Sequence, residues 1–282
     1  MGPLCPAVSL LGLYDNESED NSEAPNRRKA IRLIAQMPTI IAAQERIRRG
    51  KAPVAPKPNL STAASFLQMM HNSDPDPVAV EALDKALILH ADHELNASTF
   101  AARQTVSTLA DIYSAVTSAV GTLKGPLHGG ANEQVIRTLQ KIGEVSKVEA
   151  FLVDALDNKE RIMGFGHRVY KDGDPRAKHL KKMSYELGKM NGEMKWYEMS
   201  DLLEKAMLEK KGMKPNVDFY SASVYFVLGI PVVLYTPIFA LSRISGWVAH
   251  ILEQYGNNRL IRPRAAYPGP APRVSKPIAE RG

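Results

Sequence analysis

Apolar residues recur along most of this chain at intervals of three and four. The series Ile31, Ile34, Met37, Ile41 is one case, and Leu109, Ile112, Ala115, Ala119 is another. That spacing places one apolar stripe on each helix and leaves the opposite face to charges. Strict alternation, the mark of a half-buried strand, is almost absent. The pattern predicts helices over about 28–48, 61–71, 78–90, 97–121, 131–142, 147–157, 174–190, 197–210, 217–228 and 237–256, an all-α protein. Ser61 before an apolar run, Pro175 early in a helix and Gly256 after one supply start and stop signals. Polar or proline-rich stretches at Asn16 to Pro25, Lys51 to Asn59 and Pro263 to Gly282 read as linkers or tails.

Residues 219–242 carry no charge, a length able to cross a bilayer. Pro231 divides the run after Gly229 and Ile230, so two buried helices joined by a turn explain it better than a membrane span. No internal repeat of fixed period is visible.

Length and composition narrow the class. At 282 residues, 44% hydrophobic and 23% charged, the chain is long enough for one large or two ordinary domains and has a globular composition. Cys5 is the single cysteine, which excludes a disulfide-stapled scaffold and fits a reducing compartment. The first residues show no basic and apolar leader pattern, so a cytoplasmic location is expected.

The net charge of +6 is unevenly spread. Residues 1–26 hold five acids and no base, 27–51 hold eight Lys or Arg against Glu45, and 259–282 hold six against Glu280. The basic segments suit either an anionic partner or ordinary solvated helix faces. No aromatic residues interleave them and no nucleic-acid motif appears, so nucleic acid is not an expected partner.

Three segments carry candidate chemistry. In Gly125-Pro126-Leu127-His128-Gly129-Gly130-Ala131-Asn132 a glycine-rich turn feeds a helix starting near Ala131. A histidine beside that positive helix end would stay neutral and donate a hydrogen bond; an ordinary turn with a chance histidine reads equally from these residues. In the second, 163–176, a glycine-flanked His167 precedes Arg168, Lys171 and Arg176, types that polarise a carbonyl and grip a carboxylate. It lacks the Gly-Lys-Ser/Thr of a phosphate loop. In the third, 214–221, Asp218 opens an apolar helix. Either Asn216 or Asp218 could be a plain helix cap, or a carboxylate beside Phe219 and Tyr220 could have a raised pKa and act as a base. His90 and His93 lack a third spaced ligand, so no metal site is expected.

In this order the segments resemble the citrate synthase family, particularly the compact bacterial type that includes 2-methylcitrate synthases. The resemblance runs from about Ala7 to Tyr267. It rests on His90-Ala91-Asp92-His93-Glu94, LHGGANE at 127–133, GFGHRVYKDGDPR at 164–176, PNVDFYSA at 215–222, and Leu241-Ser242-Arg243 followed by Arg262-Pro263-Arg264. It implies an all-α fold with a large domain over 1–132 and 233–282, and a small domain over 133–232 that closes over the substrates. Gly129 and Gly130 would lie near the first crossing.

The implied reaction condenses acetyl-CoA with oxaloacetate, without cofactor or metal, at the entry to the tricarboxylic acid cycle. Asp218 would take the methyl proton, His128 would stabilise the enolate oxygen and His167 would polarise the keto group. His93, Arg176 and Arg243 would hold oxaloacetate, with Arg262 reaching a neighbouring subunit's site in a homodimer or higher homo-oligomer. Ile162, Met163, Gly164, Phe165, Gly166 and Lys171 would cradle CoA. Family chains begin roughly a hundred residues earlier, and Pro3 and Pro6 stand where a helix should already be running. Two other readings accompany the main one: a 2-methylcitrate synthase using propionyl-CoA, and a shortened, catalytically weak assembly subunit.

Overall fold

A computed structural model describes residues 1–271 and 274–281. Among these residues there are twelve α-helices and no strand, only an isolated bridge between Phe165 and Pro215. The helices are α1 Leu4–Leu13, α2 Glu23–Arg48, α3 Thr62–His71, α4 Pro77–His90, α5 Ala97–Val106, α6 Ile112–Leu123, α7 Ala131–Ile142, α8 Val148–Asp157, α9 Ala177–Asn191, α10 Lys195–Lys211, α11 Val217–Val227 and α12 Tyr235–Gly256.

Local chemistry sets several of the boundaries. Ser61, Asp76, Asn96, Asp111 and Asn216 each accept a backbone N–H of the first turn, and so start α3, α4, α5, α6 and α11. Gly192 and Gly212 end α9 and α10 in the left-handed conformation.

Two expectations change. The helix anticipated over 97–121 is two helices, because Leu109 adopts a positive φ of 67° and Asp111 starts a new cap. Leu109 is accordingly exposed and does not belong to the stripe of Ile112, Ala115 and Ala119. At the N-terminus, Pro3 and Pro6 do not prevent α1. Pro3 precedes the helix and Pro6 lies in its first turn, where a missing N–H leaves nothing unbonded.

α12 is the axis of the molecule and packs against α2, α4, α5, α6 and α7. Its Tyr235, Ile238, Ala240, Trp247 and Ile251 have no solvent exposure. The turn at Gly229-Ile230-Pro231 separates it from α11, as the sequence predicts. The segment Val232–Gly256 is long and apolar enough to cross a membrane, yet 78% of its most apolar stretch is buried inside the protein. α7, α8, α9, α10 and α11 form a second packed group, which touches the first mainly through α4 and α12.

The basic run at 27–32 faces the preceding acidic segment instead of an outside partner. Arg28 pairs with Glu17 and Arg32 with Asp15 and Glu17. Lys29, fully buried, donates to the carbonyls of Ser18 at 3.0 Å and Asp20 at 2.8 Å. Of the basic tail, 272, 273 and 282 lie outside the described residues.

Candidate active site

The segment after α4, the start of α11, the first half of α12, the turn before α7 and the loop before α9 meet at one cleft of about 410 Å³. His93, His128, His167, Arg176, Asp218 and Arg243 all line it. Six of the seven residues expected to act on substrates, far apart in the chain, are therefore gathered at one place. Arg262 is the exception: it is exposed beyond the end of α12 and does not line the cleft.

Asp218 occupies the first turn of α11, but Asn216 is the cap, accepting the Asp218 backbone N–H at 3.0 Å. The Asp218 carboxylate is thus released from capping duty. Its Oδ1 is enclosed and has no hydrogen-bond partner. Burial pushes its pKa up to about 6, with Asp174 adding repulsion and Arg176 and Arg243 opposing the rise. An unbonded carboxylate with that affinity is fitted to accept a proton near neutral pH.

His128 rests in a turn that only glycine permits. A Cβ on Gly129 would stand 2.5 Å from the Leu123 carbonyl oxygen. The imidazole is kept neutral chiefly by burial and also by Arg243, which together lower its pKa to about 4. The helix end that meets the ring is that of α5 rather than α7. The Ser98 backbone N–H, in the first turn of α5, points at Nε2 from 3.3 Å, and Ser98 Oγ lies 2.8 Å away. A backbone N–H can only donate, so Nε2 is the acceptor and the ring proton sits on Nδ1.

His167 is oriented by its own loop. Its Nδ1 accepts the N–H groups of Val169 at 3.0 Å and Tyr170 at 3.1 Å, leaving Nε2–H as a donor. Its pKa is lowered, mostly by burial. His93 stacks edge-on against His167 and Tyr170, with ring centroids 5.0 and 5.4 Å apart. Arg176 is held bidentate by the buried Asp174 at 2.9 and 2.8 Å. Arg243 is fully buried and donates through Nε to the His90 carbonyl at 2.6 Å, while one terminal nitrogen has no partner. Burial lowers its pKa to about 10, so it stays charged at neutral pH. A buried cation with an unsatisfied N–H is an anchor for a carboxylate.

The segment 162–166 is tied to the approach to α11. Gly166 N–H donates to the Lys214 carbonyl at 2.9 Å, Asn216 N–H to the Gly164 carbonyl at 2.9 Å, and Asn216 Nδ2 to the Gly166 carbonyl at 2.9 Å. Phe165 is buried on the Phe219 ring at 4.5 Å, and Gly164 is buried with φ of 88°. Those two therefore shape the loop from within, whereas Gly166 and Lys171 line a second, adjoining hollow of about 160 Å³ with Met213 and Lys214. Ile162 and Met163 are half-buried.

The family model described as "Citrate synthase, C-terminal domain" matches residues 1–264. The chain is 59% identical over 281 residues to a protein named citrate synthase 2 from Bacillus subtilis, with all of this chain and 76% of that protein aligned. It is 53% identical over 287 residues to a citrate synthase from Haloferax volcanii, covering all of this chain and 75% of that protein. The chain belongs to the citrate synthase family. It is thereby an enzyme of the acyltransferase class, and its all-α fold is that of the family. The structure of Thermoplasma acidophilum citrate synthase in ternary complex with carboxymethyl coenzyme A and oxaloacetate superposes with a TM-score of 0.88 at 41% identity, over 98% of this chain and 74% of that one.

Against the family motifs, reading the sequence alone misses Ser98, Trp247 and Asp174. Asp174 stands inside the 164–176 motif. Ser98 follows the cap Asn96 by two residues, so a capping signature directly after His93 was the available signal. Nothing in the sequence ties Trp247 to the site, since its contact with Ser98 spans 149 positions.

Proposed function

We propose that this chain condenses acetyl-CoA with oxaloacetate and water to give citrate and CoA. One observation carries the reading: a half-buried carboxylate of raised pKa, Asp218, opens on the same cleft as a neutral imidazole, His128, and a carboxylate anchor, Arg243. A thioester α-proton is far less acidic than a carboxylic acid. A carboxylate can remove it only where the developing enolate oxygen is stabilised at the same moment. His128 would make that donation through Nδ1–H. The enolate carbon would then attack the keto carbon of oxaloacetate, whose oxygen His167 Nε2–H would polarise, and hydrolysis of the citryl thioester would release CoA. His93, Arg176 and Arg243 would hold the keto acid, which converts an encounter of two molecules into a reaction within one complex.

This chemistry needs no group beyond the two substrates. CoA would lie along 162–166 and Lys171. The α7–α11 group, residues 133–232, would be the small domain and the rest the large one, closing across the cleft to exclude water. Arg262 would complete the site of a neighbouring subunit in a homo-oligomer. The family reading is that of a soluble enzyme, and a cytoplasmic site of action and a place in the tricarboxylic acid cycle belong to the same proposal. Oxaloacetate-dependent release of thiol from acetyl-CoA tests it. Release abolished in Asp218→Ala supports the assignment, and equal release from that variant overturns it.

A second reading, condensation of propionyl-CoA to 2-methylcitrate, is favoured by similarity to proteins of that name, such as 2-methylcitrate synthase 1 of Corynebacterium glutamicum at 44% identity over 286 residues. One methylene in an apolar pocket is worth only about 1–3 kcal/mol of discrimination. The ratio of kcat/KM for the two thioesters decides between them.

A further inference from the structure

The Asp174 carboxylate does not line the cleft, and its side chain has no solvent exposure. Carboxylate oxygens only accept, with room for about four hydrogen bonds between them, whereas backbone and guanidinium N–H groups only donate. Oδ1 accepts the Arg176 backbone N–H at 3.0 Å and Arg176 Nε–H at 2.9 Å. Oδ2 accepts Arg176 Nη2–H at 2.8 Å and the Val217 backbone N–H at 2.9 Å. Burial alone would raise the pKa of this carboxyl, but Arg176 and these N–H groups more than offset it and hold the group below its usual range, so it is charged at neutral pH. The Val217 bond is the informative one. Val217 is the first residue of α11, and the first N–H groups of a helix have no partner within it. Asn216 meets the Asp218 N–H locally, while that of Val217 is met from 43 positions away. A negative charge also suits this end of the helix.

We propose that Asp174 is a positioning residue with two arms: a single carboxylate grips Arg176 and caps the start of α11, and so fixes the substrate anchor and the proton acceptor Asp218 in register with each other. Asp218 follows Val217 directly, so one arm ends beside the base and the other on the anchor. The grip occupies Nε and Nη2 and leaves Nη1 to a ligand in the cleft that Arg176 lines. The bonds between 164–166 and 214–216 tie another part of the same loop to α11. Asp174 is the tie that reaches Arg176 itself. A narrower role, confined to turning the chain into α9, would use only the bond to the Arg176 backbone N–H and would leave α11 unaffected.

The inference rests on the proposed roles of Arg176 and Asp218, and its test separates the two. Hydrogen exchange is followed by ¹⁵N spectra of the resting protein at the Val217 amide and at Arg176 Nε–H, with the amides of α6 as reference. In Asp174→Ala both groups are expected to exchange at least about 10-fold faster while α6 is unchanged. KM for oxaloacetate is expected to rise about 10-fold, with kcat reduced as well. Protection kept at Val217 in the folded variant overturns the proposal. Should Asp174→Ala fail to fold, Val217→Pro removes the α11 arm alone. Proline suits the first position of a helix, and Asn216, at φ −103° and ψ −177°, has the extended backbone that a residue before proline needs. Val217→Pro is expected to lower kcat about 10- to 100-fold with KM for oxaloacetate within about twofold, because Arg176 stays gripped. An unchanged kcat in that variant also overturns the proposal. Exchange needs no substrate, so a wild-type chain that releases no thiol would refute the functional reading and leave the two-armed contact standing.

Discussion

The chemistry of Asp218 depends on what surrounds one carboxyl group. Asn216 takes the capping role, so Oδ1 has no bond to lose when the oxygen accepts a proton. From residue type alone the cap could be either residue, and only the fold distributes the roles. The raised pKa of about 6 makes Asp218 the group expected to govern the acid side of the pH–kcat/KM profile, because His128, at about 4, is already neutral there. Activity is expected to rise as pH passes upward through about 6 and to fall away below it. Asp218→Asn is expected to lower oxaloacetate-dependent thiol release by about 10³-fold while the protein remains folded. The same burial destabilises the charged form. A carboxyl whose pKa is higher folded than unfolded stabilises the fold when protonated, and that contribution is lost as pH rises from about 4 through about 6. Asp218→Asn, uncharged at every pH, is thus expected to be more stable than wild type by on the order of 2 kcal/mol at pH 7–8, the difference vanishing near pH 4. Thermal melts across that range check it. His128 shows the other side of reading residues in isolation: the sequence correctly suggests a neutral ring at a helix N-terminus, but the helix is α5, thirty residues back, and no local signal reports that packing.

At the scale of elements, helical spacing locates nearly every helix, because an apolar stripe is a property of the local sequence. It fails where two stripes run in phase across a break. Ile112, Ala115 and Ala119 continue the pattern of α5 closely enough to hide the turn at Ser107 to Asp111. The signal that does mark the break is Asp111, whose Oδ1 accepts the Ser114 N–H at 2.9 Å. Asp111→Ala is expected to cost about 1 kcal/mol in urea unfolding. Leu109→Gly separates the two architectures: with φ at 67° it is expected to be neutral or stabilising, whereas in a continuous helix glycine would cost about 1 kcal/mol. The loop beside the site follows a different logic. A Cβ on Gly164 would come within 2.7 Å of Val135 and 2.9 Å of the Phe219 ring, at a φ that side chains avoid. Gly164→Ala is therefore expected to lower stability by about 1–3 kcal/mol and, through the displaced loop, to raise KM for acetyl-CoA more than KM for oxaloacetate.

For the molecule as a whole, charge that looks unbalanced along the chain is largely balanced in space. Asp15 and Glu17 are folded against Arg28 and Arg32, and Lys29 is buried on the carbonyls of Ser18 and Asp20, so block composition overstates the positive surface. The tail is different: Arg262 is exposed beyond α12 and lies outside the cleft that Arg168, Arg176 and Arg243 line. The proposal that Arg262 completes the site of a neighbouring subunit is open to a direct test. That arrangement has a quantitative consequence. Asp218→Asn and Arg262→Leu are each expected to be nearly inactive alone. If two subunits share each site and exchange freely, an equal mixture forms about half hybrid dimers. Each hybrid has one site carrying both lesions and one carrying neither, so about a quarter of wild-type activity is expected to return on mixing. An Arg262 that acted within its own subunit would leave every site with one lesion, and mixing the two variants would restore nothing.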